Sequence, residues 1–155
     1  MKDKYIIKIF LIPIILISLR CSKNSDLSLI NTSKLENALG ITSSEVPFEG
    51  DYLFFKDVDY GLKERNQLDI LLPQSDEIIG TVIFFHGGAF LFGTKEDLYD
   101  GEVKEIISSL LNDNIAVINA EYTFINDSDS QGVITSLKDG TAVINFISDN
   151  LQTLN

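Results

Sequence analysis

Apolar residues fall along this chain in short runs, and the spacing inside each run predicts what it forms. "DYLFFKDVDYG" (51–61) and "NQLDILLP" (66–73) are rich in β-formers and are separated by a polar stretch, 62–65. They are expected to pair as antiparallel strands. "TVIFF" (81–85) and "IAVINA" (115–120) are almost continuously apolar, as in strands buried on both faces of a parallel sheet. Between them Tyr99, Val103, Ile106, Ile107, Leu110 and Leu111 recur at helical spacing along one stripe. Thr94 and Asp97 have the spacing of a capping box, with Asp for the usual Glu, and Asn114 suits the left-handed residue after a helix. Strand, helix, strand in this order predicts a βαβ unit with a right-handed crossover. A second helix is expected over 133–150, with Ile134, Leu137, Thr141, Ile144 and Ile147 on one side. The class is α/β. A sheet holding only these elements leaves apolar strand and helix faces uncovered, so residues 51–155 are expected to be part of a larger domain.

The first twenty residues differ in kind. "MKDKYIIKIFLIPIILISLRCSKN" opens with Lys2, Lys4 and Lys8, runs apolar from Ile9 to Leu19 and then reaches Cys21. A positive start before a short apolar core predicts a signal peptide over 1–20, too short to span a membrane comfortably. The cysteine just past that core resembles the lipobox of bacterial lipoproteins, which implies a lipid-modified Cys21. Arg20 departs from the small residue that this motif carries before its cysteine. An uncleaved N-terminal anchor with an incidental cysteine is the other reading. Both place the rest of the chain outside the cytoplasm, in the periplasm or at the cell surface. Residues 21–50 are polar, with one weak helical pattern through Leu27, Ile30, Leu35, Ala38 and Leu39, and are expected to form a tether.

Composition narrows the classes further. At 155 residues the chain is about one domain long, and 45% hydrophobic content argues against wholesale disorder. Its net charge is −11. Beyond residue 20 it carries 8 basic and 22 acidic side chains, a balance that disfavours binding to nucleic acid and to anionic membrane surfaces. A single cysteine rules out an intrachain disulfide and the familiar cysteine-based zinc motifs.

The candidate chemistry lies in "GTVIFFHGGAFLFGTKE" (80–96), which holds His86, the one histidine of the chain. In open α/β sheets ligands gather at the carboxyl ends of the strands. His86, Gly87, Gly88 and Ala89 follow such an end, and consecutive glycines let backbone N–H groups face a ligand closely. Amides aimed this way can stabilise an oxyanion, and losing one such donor costs about 10²–10³ in rate. "VIFFHGGAFLFG" resembles the oxyanion-loop motif of α/β-hydrolase esterases and lipases, the HGG type that follows the third strand. "YGLKERNQLDILLP" is similar to the strand pair preceding that motif. "NIAVINAEYTF", with Tyr122, is similar to the next strand, and "LKDGTAVINFISDN", with Asp139 at a recurrent acidic position, to the helix that leads to the nucleophile. The resemblance covers residues 51–150. It implies that the backbone N–H groups of Gly88 and Ala89 are the oxyanion donors, that Gly87 shapes the turn, and that His86 orients the loop instead of acting as a base. A lone core histidine beside a strand-to-helix turn is the simpler alternative.

The rest of a serine-hydrolase site is not in these residues. No G-x-S-x-G pentapeptide occurs, and a second histidine to serve as base is lacking. The chain is therefore expected to hold the oxyanion half of an esterase site, to need no metal or organic cofactor, and to be inactive by itself. Its implied partners are a small-molecule ester in the complete enzyme, a membrane through the N-terminal anchor, and a complementary C-terminal half. A non-catalytic cell-surface binding protein derived from a hydrolase, and a piece of a peptidase of the same fold, are the other readings. "DSDSQG" (127–132) has the alternating oxygens of a calcium loop, but Lys138 stands where that loop needs its glutamate, so a polar connection is expected. Asp97, Asp100, Glu102 and Glu105 sit where a helix dipole favours acids, and a solvated face is expected there.

Overall fold

The computed structural model describes residues 39–40, 43–75 and 77–154. Residues 1–20, expected to be a signal peptide, and Cys21 lie outside the described residues. Strand β1 (Tyr52–Asp59) and β2 (Gln67–Pro73) form the expected antiparallel pair. Strand β3 (Gly80–Phe85) is followed by a 3-10 turn (Lys95–Tyr99), helix α1 (Gly101–Asn112), strand β4 (Ile115–Ala120) and helix α2 (Val133–Leu154). The sheet order is β1-β2-β4-β3: β3 pairs parallel with β4, and β4 pairs antiparallel with β2. The architecture is α/β with a mixed four-stranded sheet.

Period-two alternation divides the strand residues between two cores. Leu68, Ile70 and Leu72 of β2 with Ala116, Ile118 and Ala120 of β4 face Val143 and Ile147 of α2. Leu71 and Val117 face the other way, onto Ile107 and Leu111 of α1. Each of the leucines, isoleucines and valines among them, removed wholly from water, contributes about 1.5–3 kcal/mol. Helix α1 starts at Asp100, whose carboxylate accepts from the Gly101 amide at 2.7 Å, and ends before Asn114, left-handed at φ 60°. The expected single helix is thus split. Residues 95–99 wind as a 3-10 turn, entered where the Thr94 amide donates to Asp97 Oδ2 at 2.9 Å.

Three features depart from the sequence pattern. First, β3 is half-buried along its length and Phe85 is exposed, although its run looks as apolar as that of β4. Among the described residues it has a neighbour on one edge only, and burial on both faces needs covering elements on both sides. Second, the inward face of α2 carries Thr135, Ser136, Asp139, Val143 and Ile147, while Ile134, Leu137 and Ile144 point outward. The polar inward residues are held by the strand exit: Ser136 Oγ donates to Thr123 O at 2.7 Å, and Asp139 Oδ2 accepts from the Thr123 amide at 2.9 Å. Third, the packed domain reaches back into the segment read as a tether. Leu39 and Phe48 join the cores, and the Ser43 amide donates to Phe54 O at 2.7 Å.

Candidate oxyanion site

Strand β3 delivers the chain to His86 at the carboxyl end of the parallel pair. The backbone then turns left-handed at three successive residues, Gly88 (φ 115°), Ala89 (φ 53°) and Phe90 (φ 64°). Positive φ at a residue with a Cβ is strained, and such strain persists only where the surroundings impose it. Here the surroundings hold the carbonyls. Tyr122 Oη donates to His86 O at 3.0 Å and lies 3.3 Å from Gly87 O. Gly88 O accepts from the amides of Leu91 (3.0 Å) and Phe92 (3.3 Å), and Phe90 O accepts from the Ile125 amide (2.9 Å).

This pairing fixes which way the amides point. In a trans peptide the C=O of one residue and the N–H of the next lie on opposite sides of the same plane. With Gly87 O turned to Tyr122, the Gly88 N–H faces away from it. With Gly88 O turned into the loop, the Ala89 N–H faces out. Among the described residues neither amide donates to any acceptor. Gly88 cannot be another residue, because an added Cβ would stand 1.7 Å from Phe92 O. Gly93, at φ 102°, closes the loop so tightly that a Cβ would meet His86 Nδ1 at 2.7 Å. Around Gly87 there is open space and φ is not positive, so the glycine-requiring turns are at 88 and 93.

His86 is buried under this loop. Its ring stacks on Tyr122, with centroids 4.4 Å apart and 13° between planes, and meets Phe124 edge-on at 6.0 Å. Nδ1 lies 2.6 Å from Gly87 O, and Nε2 lies 3.3 Å from Glu121 Oε2. Both ring nitrogens therefore point into the protein, and neither is presented to solvent.

The residues that brace the loop from outside carried no signal in the sequence pattern. Glu121, 6% exposed just past β4, accepts from the Lys95 amide at 2.6 Å and pairs with Arg65. Arg65 also donates to Tyr122 O (3.0 Å) and Gly93 O (3.2 Å), with its guanidinium 3.7 Å over the Phe124 ring. Lys95 is 2% exposed, with Nζ between Asp57 (2.7 Å), Asp69 (3.0 Å) and Glu96 (2.6 Å). Burial works to lower the Lys95 pKa, but the three carboxylates outweigh it and hold the ammonium above the ordinary lysine range. Asp139, singled out in the sequence, accepts from the Thr123 amide and pairs with Lys63 at 3.3 Å, tying α2 to the strand exit. The one available clue to Glu121 was its place beside Tyr122, immediately after an apolar strand.

Residues 68–155, more than half of the chain, match the BD-FAE family. The chain belongs to that family. BD-FAE proteins are carboxylic-ester hydrolases of the α/β-hydrolase fold. Solved structures agree on the fold. A bifunctional GH43-CE protein of Bacteroides eggerthii is 24% identical over 65% of this chain and 13% of its own, with a TM-score of 0.53. A C6-C4 SN3 inhibited esterase B from Lactobacillus rhamnosis is 19% identical, covering 69% and 33%, at 0.54. A truncated carbohydrate esterase from gut microbiota is 21% identical, covering 68% and 36%, at 0.51. The chain thus spans about a third of each esterase and less of the bifunctional protein. No curated protein matches it.

Proposed function

We propose that residues 86–93 form the oxyanion-binding element of a carbohydrate-directed carboxylic-ester hydrolase. The observation that carries this reading is the pair of unengaged amides, Gly88 and Ala89, turned outward at the end of β3 by carbonyls that are themselves bonded. Attack on an ester carbonyl turns its oxygen into an alkoxide, and two fixed N–H donors there stabilise the tetrahedral intermediate without reorganising. Gly88 and Ala89 supply the donors. His86 braces Gly87 O, and Gly87 leaves the approach open. BD-FAE membership and the carbohydrate-esterase neighbours support an acetylated or feruloylated sugar as the ester. The serine, its histidine and the acid are contributed by other residues than these 155, on a complementary C-terminal half. The open edge of β3 and the outward stripe of Ile134, Leu137 and Ile144 are the surfaces such a half would cover. The assembled enzyme is exported and held to a membrane at Cys21 or by an uncleaved N-terminal segment.

The experiment is hydrolysis of p-nitrophenyl acetate. The chain alone gives no turnover. Turnover appears when a polypeptide bearing a G-x-S-x-G elbow and a later histidine of the same family is co-refolded with it. Turnover by the chain alone that a serine-directed phosphonate abolishes would contradict the reading.

A further inference from the structure

One buried carboxylate touches both ends of the loop. Glu121 Oε1 accepts from the amide of Lys95, where the loop rejoins the body, at 2.6 Å. Glu121 Oε2 lies 3.3 Å from Nε2 of His86, where the loop departs; this is a close approach without hydrogen-bond geometry, and that buried nitrogen has no other partner among the described residues. Arg65 pairs with the same Oε2 and reaches Gly93 O, two residues before the exit. His86 passes the hold onward, because its Nδ1 rests 2.6 Å from Gly87 O. The peptide of Gly87 carries the Gly88 N–H on its opposite side, so the ring's position sets the aim of that donor.

Resting on the reading of this loop as an oxyanion element, we propose that Glu121 is its positioning residue, a two-oxygen clamp that fixes how far the Gly88–Ala89 arc stands out from β3. The chemistry of the clamp is specific. Lys95 N–H and the Arg65 guanidinium are obligate donors, so both oxygens of residue 121 must be acceptors. A glutamine has one oxygen, and its NH₂ would face one of those donors. An aspartate keeps both oxygens but is one methylene short, and reaches one end only.

Hydrogen exchange followed by NMR tests this on the full chain. In the unmodified protein the Lys95 amide exchanges as slowly as interior amides of β4, while those of Gly88 and Ala89 exchange fast. In Glu121→Gln the protected amides between residues 86 and 95 exchange about 10–100-fold faster, while β1 and β2 are unchanged. The ring ¹⁵N signals of the one imidazole move as well, which simple loosening of packing elsewhere would not do. Glu121→Asp restores either the Lys95 protection or the imidazole signal, but not both. The proposal is overturned if Lys95 exchanges as fast as Ala89 in the unmodified protein, or if Glu121→Gln leaves the loop within twofold of its original rates. Should that variant not fold, the Lys95 amide and the Glu121→Asp protein decide. Failure here leaves the ester-hydrolase reading untouched. A loop that loosens as described yet whose Gly88 and Ala89 amides ignore a tetrahedral anion removes that reading instead.

Discussion

The two parallel strands, β3 and β4, end side by side, yet the segments that leave them are built in opposite ways. After β3, residues 88–90 are all left-handed and none of their three amides donates to an acceptor among the described residues. After β4, each of residues 121–124 is tied down. Glu121 bonds Lys95 and Arg65, Tyr122 holds His86 O, Thr123 bonds Asp139 and Ser136, and the Phe124 amide donates to Asp127 at 2.8 Å. The difference teaches where the strain is borne. A loop that must leave its donors free cannot satisfy itself, so its conformation is imposed by the satisfied segment beside it.

The sharpest way to break that comparison is to fill the turn. Gly88→Ala puts a Cβ into Phe92 O, and the unfolding free energy in urea should fall by about 3 kcal/mol. Gly87→Ala, one residue earlier in open space, should stay within about 0.5 kcal/mol. Equal losses at the two glycines would mean that the turn is not held as described.

Cutting the tie between the segments comes next. Tyr122→Phe keeps the stacking on His86 but removes the hydroxyl that holds His86 O, and should cost about 1 kcal/mol by thermal or urea unfolding. A neutral result would show that the carbonyls of the loop are oriented by something else.

The smallest effect lies at the exit of the loop and depends on pH. Burial tends to raise the Glu96 pKa, but hydrogen bonds from Lys95 and Thr94 outweigh it and lower it from 4.5 to about 2. A folded-state pKa below the unfolded one stabilises the fold above about pH 4.5, and that contribution is lost as pH falls through about 2. The Glu96 side chain is half exposed, so solvent screening keeps its effect under about 1 kcal/mol. Glu96→Gln should therefore flatten the stability curve between pH 5 and 2, measured by urea midpoints. A steeper curve in the variant would reverse the sign argued here.

The strand pair, the βαβ unit and the place of His86 were legible in the sequence because alternation and apolar runs report directly on strand burial. The facing of α2 was not. The stripe through Ile134, Leu137 and Ile144 is the more apolar one on paper, yet the inward face is the one from which Ser136 and Asp139 bond the backbone of Thr123, a contact made only once β4 is in place. The half-burial of β3 was hidden for a related reason, since its composition does not say how many neighbours it has. The pair Gly87–Gly88 could be picked out because consecutive glycines after a strand are conspicuous, whereas Ala89 entered only through the resemblance of the motif. Lys95, Arg65 and Glu121 stand in no local pattern that would single them out. That they are partly or fully buried, and clamp the loop, follows from long-range pairing that no local pattern encodes.

The most direct test is an NMR titration of the ¹⁵N-labelled chain with a soluble monoalkyl phosphonate, a tetrahedral anion shaped like the intermediate, against chloride at equal ionic strength. The account predicts that the Gly88 and Ala89 amide protons move downfield together and saturate, with chloride leaving them in place. Signals that stay fixed at those two amides while others respond would contradict it.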